Sequence, residues 1–526
     1  MKKTSLSLTL AALGLALSTT ASGVTRTEAI VRAKAFSFHP WKASSANLSA
    51  SCNAAYQSVY STGDYMGLPY DWGGYMTLFD FDQQIKNGYG AGSYPADGIL
   101  SCTSGLDCSG FVSQCWKSGH QTTSSVGGVS SAISQSSMLA GDIFNDAGNH
   151  MAMYSHTLSS GEPLLYESVF YNVHISMPGW SWVSGYIPRR YTSMTGTSAA
   201  LPDGTWDKPI LIGSFPYSDS RNTSASFSDV IDGCGIATGS NESGPEYVYK
   251  VTLTQPGQLT VAVTDDVGVD IDVHLYTSMN TNDCVARHDT SFTQNVDCGT
   301  YYVVADTFTD KVGNYSLSVS FNPSGSACGN GPPKYNFKGA PGTACAYPGN
   351  ESLPFCNPNL GADTCLYTSS SSFCSMPCTA ASDCAAMTGG CCGDIGQGEL
   401  FCLPAAQCGG SPPDAGAGGS PGTGGTPGTG GNPGTGGTPG TGGNPGTGGD
   451  PGVGGVPGSG GSGAFGNQPG VGGAGANGTS GGFGQPPAGG QSGTSSGCST
   501  RSPASDGAFG LLLAALGLTL LRRRAH

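Results

Sequence analysis

The chain has 526 residues, a net charge of −14 and only 11% charged residues, which excludes nucleic acid and anionic lipid as main partners because both call for a basic surface. Glycine numbers 86, with most of the excess after residue 409, so length overstates folded mass. Nineteen cysteines point to export, since disulfides persist in oxidising compartments.

Lys2 and Lys3 precede an apolar stretch from Leu6 to Leu17, followed by small residues through Thr20, Ala21, Ser22 and Gly23. This is the layout of a secretory signal peptide over residues 1–23, with cleavage near Ala21 to Gly23. The apolar run is too short to cross a bilayer.

Residues 27–192 mix helix-like and strand-like patterns and hold the groups suited to chemistry. Around Leu106-Asp107-Cys108-Ser109-Gly110-Phe111, the residues Phe111, Val112, Cys115 and Trp116 fall at helical spacing, which places Cys108 at a helix N-terminus. Unpaired N–H groups and the helix dipole stabilise a thiolate there, and Asp107 and Ser109 suit a helix start. By compartment alone, an exported cysteine is a disulfide partner. Three companion segments weigh against that default: Leu68-Pro69-Tyr70-Asp71-Trp72-Gly73-Gly74 upstream, then Ala140-Gly141-Asp142-Ile143 and Asn149-His150-Met151-Ala152-Met153-Tyr154 downstream.

In this order the segments resemble the NlpC-type cell-wall cysteine peptidases, which have a papain-like α+β fold. The resemblance covers roughly residues 56–192 and closes on Tyr186 to Tyr191, with its Arg189-Arg190 pair. It implies Cys108 as nucleophile, His150 as general base and Tyr70 lining the site. Asp107 and Ser109 match positions that help hold the free amino end of a stem peptide. A thiolate needs an imidazole to take its proton and later to protonate the leaving amine, and the Cys108 N–H would serve an oxyanion site. The family usually places a third polar residue, a His, on the next strand. Here Leu164-Leu165-Tyr166-Glu167-Ser168-Val169 offers Glu167, whose carboxylate would hold the second ring nitrogen. His156 and His174 compete for that role; a surface or core role is the default for His39, His120, His156 and His174. The chain departs from the family in the long insertion Tyr75 to Gly105, which carries Phe79, Phe81, Tyr89, Tyr94 and Cys102 and could form a lid that alters specificity. Glu in place of the third His echoes the CHAP-type amidases.

Setting aside Cys108 and Cys498 leaves seventeen cysteines; Cys115, on the same helix face as Cys108, is expected as a buried free thiol, which leaves sixteen. Cys52 with Cys102 and Cys284 with Cys298 are the expected pairs, and the remaining connectivity stays open.

Residues 205–323 read as an antiparallel β-sandwich, with strands at Tyr247 to Leu253, Gln258 to Val263, Ile271 to Tyr276, Thr300 to Ala305 and Tyr315 to Phe321. The segments Gly244-Pro245-Glu246-Tyr247, Asp270-Ile271-Asp272-Val273-His274, Gly299-Thr300-Tyr301-Tyr302 and Gly313-Asn314-Tyr315 resemble the bacterial pre-peptidase C-terminal domain, a non-catalytic module of exported peptidases. Asp265, Asp266, Asp270 and Asp272 could supply carboxylates to calcium, but a solvent-facing strand edge explains them as well. No metal and no cofactor are expected.

Residues 328–408 hold eleven cysteines and few apolar residues, so this module must be stapled rather than packed. Residues 409–497 repeat Gly-Gly-x-Pro-Gly-Thr, with glycine at every third position from Gly416 to Gly461. That is a collagen-like register, but proline fills only alternate triplets, so a flexible stalk is expected. Residues 498–526 follow Gly497 with Cys498, an apolar run from Phe509 to Leu521 and Arg522-Arg523-Arg524. This tail resembles the C-terminal sorting signal of myxobacterial surface proteins, although Thr500 stands where a second cysteine is common. The resemblance implies processing near Cys498 and display at the cell surface or outer membrane; a simple tail anchor is the alternative.

These readings converge on an exported endopeptidase acting on peptide or isopeptide bonds of peptidoglycan stem peptides. An amidase or transpeptidase using the same Cys-His pair is the nearer rival, and a non-catalytic surface adhesin the more distant one.

Overall fold

A capping box starts the first helix. Glu28 N donates to Thr25 Oγ1 at 3.1 Å and Thr25 N donates to Glu28 Oε2 at 2.6 Å, opening α1 (Arg26–Ser37). Every residue of α1 except Glu28 is buried, so the helix is surrounded rather than amphipathic. The computed structural model describes residues 23–408 except 159–160, 198–201, 329–333, 347–352, 358–359, 363, 368–370 and 396–399. The expected signal peptide (but for Gly23), the stalk and the C-terminal tail lie outside the described residues.

Strands β1 (Pro40–Ala43) and β2 (Gly63–Met66) form an antiparallel pair, and α2 (Leu78–Lys86), β3 (Gly90–Ala91) and β4 (Thr103–Ser104) follow. After α3 (Cys108–Cys115) come β5 (Ser130–Ala132), β6 (Ile143–Asp146), β7 (His150–Thr157), β8 (Pro163–Ser168), β9 (Val173–Ser176) and β10 (Ile187–Tyr191). These six strands make one antiparallel sheet in the order β5-β10-β6-β7-β8-β9. Helices α1 and α3 pack on each other and against β8, with α3 also on β7 and α1 on β9. Met151, Met153, Leu164 and Tyr166 join the main core with Phe36, Phe111 and Val112, whereas Phe144, Ala152, Tyr154 and Leu165 form a second core under Trp180 and Val183. The alternation along β7 and β8 is that of a sheet buried on both faces.

Within the insertion Tyr75 to Gly105, α2 is a docking element. Phe81 of α2 is fully buried against Trp41, with ring centroids 5.6 Å apart. Asp82, next to it, accepts from His39 Nε2 at 2.7 Å, Asn280 Nδ2 at 2.9 Å, Thr281 N at 2.7 Å and Thr281 Oγ1 at 2.8 Å. Apolar packing faces inward and a buried carboxylate faces the sandwich, so α2 joins the two regions.

The sandwich consists of β11 (Ile210–Leu211), β12 (Tyr217–Asn222), β13 (Tyr247–Leu253), β14 (Gly257–Asp265), β15 (Ile271–Tyr276), β16 (Cys284–His288), β17 (Ser291–Val296), β18 (Gly299–Thr307) and β19 (Asn314–Pro323). One sheet runs β11-β13-β18-β15-β16 and the other β12-β19-β14-β17. Val251, Val273 and Val303 of the first share a core with Leu259, Val261 and Leu317 of the second. All five strands expected from the sequence are present.

Eight disulfides join described cysteines, an arrangement that fits an extracellular protein. Cys52 pairs with Cys102 as expected, and Cys115 is a buried free thiol. The expected pair Cys284–Cys298 does not form: Cys284 bonds Cys234, and Cys298 bonds Cys328. The intervening segment is not a hairpin, because β16 pairs with β15 in one sheet and β17 with β14 in the other. The remaining bridges, Cys345–Cys365, Cys356–Cys374, Cys378–Cys392, Cys384–Cys402 and Cys391–Cys408, staple two small hairpins, β20 (Thr364–Tyr367) with β21 (Ser372–Ser375) and β22 (Cys391–Asp394) with β23 (Leu400–Leu403). The described chain is therefore mostly β, with few helices and many bridges. Among the described residues no helix is long and apolar enough to cross a membrane.

Candidate functional site

Asp107 is the N-cap of α3. Its Oδ1 accepts from Gly110 N at 2.6 Å and Ser109 Oγ at 2.7 Å, and its Oδ2 accepts from Gly73 N at 3.0 Å. The cap thus ties the Trp-Gly-Gly segment to the helix that carries Cys108 at its first position. Burial pushes the Asp107 carboxyl up, against its hydrogen bonds from Gly110 and Ser109. Asp107 and Ser109 are buried, and these bonds organise the helix start.

Cys108 is itself buried, and its sulfur is disulfide-bonded. The eight bridges between described cysteines do not include it. In this state Cys108 is not a thiolate.

His150 opens β7, and its Nε2 lies 2.8 Å from Glu167 Oε2 on β8. Both side chains are 4% exposed, so the pair is held away from bulk water. The register explains the meeting. Met153 pairs with Tyr166, so Glu167 comes one residue further on, on the face of the sheet that carries His150. Burial raises the Glu167 carboxyl, but the hydrogen bond and charge of His150 and the charge of His174 outweigh it and hold the group below its ordinary value. With Nε2 committed to Glu167, Nδ1 is the nitrogen left for proton exchange. The Trp182 and Tyr186 rings flank the imidazole edge-on, with centroids 5.7 and 6.4 Å away.

The other histidines take different places. His174 Nε2 stands 3.8 Å from Glu167 Oε1, behind the closer His150 contact, and burial lowers its affinity for a proton while the Glu167 charge raises it. His156 bonds Ser155 Oγ and the Ile395 carbonyl, His39 bonds Asp82, and His120 stacks on Tyr75 at 4.8 Å. Tyr70 is buried at the start of an aromatic row, stacked on Tyr94 at 5.9 Å, which stacks on the half-exposed Phe170 at 4.4 Å. Burial and the charges of Asp107 and Asp71 raise the Tyr70 phenol, which keeps it a neutral donor. Tyr94 comes from the insertion, so that segment touches the row even though α2 docks elsewhere.

Gly141-Asp142 and the Arg189-Arg190 pair turn out to be linked. Asp142, fully buried, receives Arg26 Nη1 at 3.0 Å and Arg190 Nη2 at 2.7 Å, clamping α1 to the sheet. Sequence reasoning missed Asp82 and Trp182 and gave Tyr186 no place beside His150; only the aromatic residues left a local signal. The four aspartates weighed for calcium do not form one ligand set: Asp265 accepts from Ile271 N, Asp266 from Asn314 Nδ2, and Asp272 pairs with Arg287. A cavity of about 830 Å³ lies between the sheet, the sandwich and the cysteine-rich module, lined by Leu164, Tyr166, Trp206, Tyr302 and Phe337. Cys108, His150 and Glu167 do not line it.

No protein-family model matches the chain, and no curated protein matches it. Among solved structures, a pre-peptidase C-terminal domain of collagenase from Bacillus anthracis is similar at 14% identity, over 22% of this chain and 96% of that one, with a TM-score of 0.17. The periplasmic inhibitor of g-type lysozyme PliG from Aeromonas hydrophila is similar at 11% identity, over 22% of this chain and 96% of that one, with a TM-score of 0.16. Scores this low assign no fold and no activity.

Proposed function

We propose that the chain is an exported, surface-displayed cysteine endopeptidase of papain-like fold that hydrolyses peptide or isopeptide bonds in peptidoglycan stem peptides. The observation that carries this reading is the buried 2.8 Å contact between His150 Nε2 and Glu167 Oε2, on strands against which the Cys108 helix packs. The ordered motifs around Tyr70, Cys108, Asp142 and His150 supply the family resemblance. The sandwich would act as a pre-peptidase C-terminal-like accessory module, with the tail as a surface-sorting signal.

In this mechanism a thiol reductant first frees Cys108 as a thiol, and His150 Nδ1 serves as its general base. The Cys108 thiol proton passes to Nδ1, and the sulfur attacks the carbonyl carbon of the scissile bond. Glu167 holds the resulting imidazolium, and the Cys108 N–H at the helix start donates to the oxyanion. Collapse of the tetrahedral intermediate breaks the C–N bond, and the imidazolium protonates the departing amine. Water, deprotonated by His150, then hydrolyses the thioester and restores the thiol.

The test is to incubate the reduced full chain with peptidoglycan, alongside Cys108→Ala, and to analyse the muropeptides. Shortened stems from the wild type alone support an endopeptidase, released intact stems an amidase, and cross-linked products a transpeptidase. Unchanged muropeptides with the reduced wild type would sink all three. The bonded sulfur of Cys108 favours a second reading, a surface-binding module without catalysis, which predicts peptidoglycan binding with no turnover before or after reduction.

A further inference from the structure

The sandwich holds a second cluster of groups with chemistry to offer. Glu242 precedes β13, His274 lies on β15 and Asp306 on β18, and each is 0% exposed. The two strands are hydrogen-bonded neighbours in which Asp272 pairs with Asp306 and His274 with Val304, so Asp272, His274 and Asp306 share one face. One ligand atom from each of Glu242, His274 and Asp306 lies within 4.8 Å of the other two.

The protein does not use up the polar atoms of this cluster. His274 Nε2, Glu242 Oε2, both carboxylate oxygens of Asp306 and the neighbouring Asp272 Oδ1 are buried with no hydrogen-bond partner. Arg287 donates to Glu242 Oε1 at 2.8 Å and also pairs with Asp272, so one guanidinium is shared by two of the carboxylates. Buried polar groups are normally satisfied, and buried charges are paired or coordinate metals. Five unsatisfied ligand-type atoms converging in one place are what a bound cation would resolve.

We propose that Glu242, His274 and Asp306 form a closed structural site for one divalent transition-metal cation, with Zn²⁺ the best match. An imidazole beside two carboxylates suits zinc-type ions, whereas calcium and magnesium take oxygen donors. Asp272 Oδ1, buried without a partner and on the same face, is a further donor available for a fourth position. Bonds of about 2.0–2.2 Å require the side chains to close inward by rotation. The ion would fasten the segment before β13 to β15 and β18, a role independent of Cys108.

The test uses the full chain, stripped with chelator, loaded with Zn²⁺ alone or Ca²⁺ alone, and desalted before metal analysis. Wild type and the exposed control His288→Gln should each retain one zinc per chain and melt at higher temperature with zinc than without. His274→Gln and Asp306→Asn should each retain less than a tenth as much. Should a variant misfold, zinc-edge X-ray absorption of the wild type serves in its place and should show nitrogen and oxygen donors with one imidazole. Wild type without retained zinc, variants retaining as much as wild type, a sulfur shell, or stabilisation by calcium and not zinc would each overturn the site.

Discussion

Glu167 Oε2 lies 2.8 Å from His150 Nε2 in a setting where both side chains are buried, and the two residues come from adjacent strands of one sheet. The carboxylate fixes which ring nitrogen remains for chemistry and stabilises a charged imidazole. Glu167→Gln keeps the hydrogen bond and removes the charge. In the proposed mechanism, kcat/KM should fall about a hundredfold or more. Unchanged rates in Glu167→Gln would show that Glu167 plays no part in catalysis.

Cys108 and Cys115 lie on one helix but should respond oppositely to alkylation. Cys108 is bonded, so it should take up iodoacetamide only after mild reduction. Cys115 is fully buried, and burial raises its thiol well above the ordinary value, so it should stay unlabelled in the native protein under both conditions. Peptide mapping by mass spectrometry reads both sites at once. Activity should rise in step with Cys108 labelling capacity; activity without reductant would contradict the redox requirement.

Asp82 accepts four hydrogen bonds at the junction of α2 with the sandwich. Asp82→Ala leaves His39, Asn280 and Thr281 with buried unmet groups, a loss on the order of 3–5 kcal/mol. Thermal unfolding should show a lower midpoint, and limited proteolysis should cut faster between the sheet region and the sandwich. A variant with unchanged melting and cleavage would show that the junction holds without this carboxylate.

How far the sequence revealed these features follows from the range of the interactions involved. Strands β14 and β19 were legible because the buried Leu259, Val261 and Val263, and Tyr315, Leu317 and Val319, alternate with less buried residues. Strands β12 and β17, Tyr217–Asn222 and Ser291–Val296, were not, since both are edge strands with largely polar sequences. Glu167 could be proposed from its place one strand after His150, a local relationship. Asp82 could not, because Asn280 and Thr281 lie nearly two hundred residues away, 198 and 199 positions on. The same limit applied to cysteines: Cys52–Cys102 closes within one region, while the choice of Cys284 for Cys234 depends on which sheet β16 joins.

Asp71 provides a pH-dependent prediction. It accepts from Ser93 Oγ at 2.6 Å, and burial, opposed by that hydrogen bond, pushes its carboxyl up to about 7. The native state therefore holds a proton that the unfolded chain releases near 3.8. The contribution of Asp71 to stability is fully present below the unfolded value. It is lost progressively as pH rises from about 4 to about 7, then stays constant once both states are ionised. A shift of this size corresponds to about 4 kcal/mol at most. Asp71→Asn presents an uncharged amide of the same shape, so it should melt close to wild type at pH 4 and well above it at pH 8. Other buried carboxyls, such as Glu246 at about 8, titrate alongside, so the difference between variant and wild type is the quantity to follow. A difference that does not change between pH 4 and pH 8 would place the Asp71 proton elsewhere and leave the carboxyl ionised in the native state.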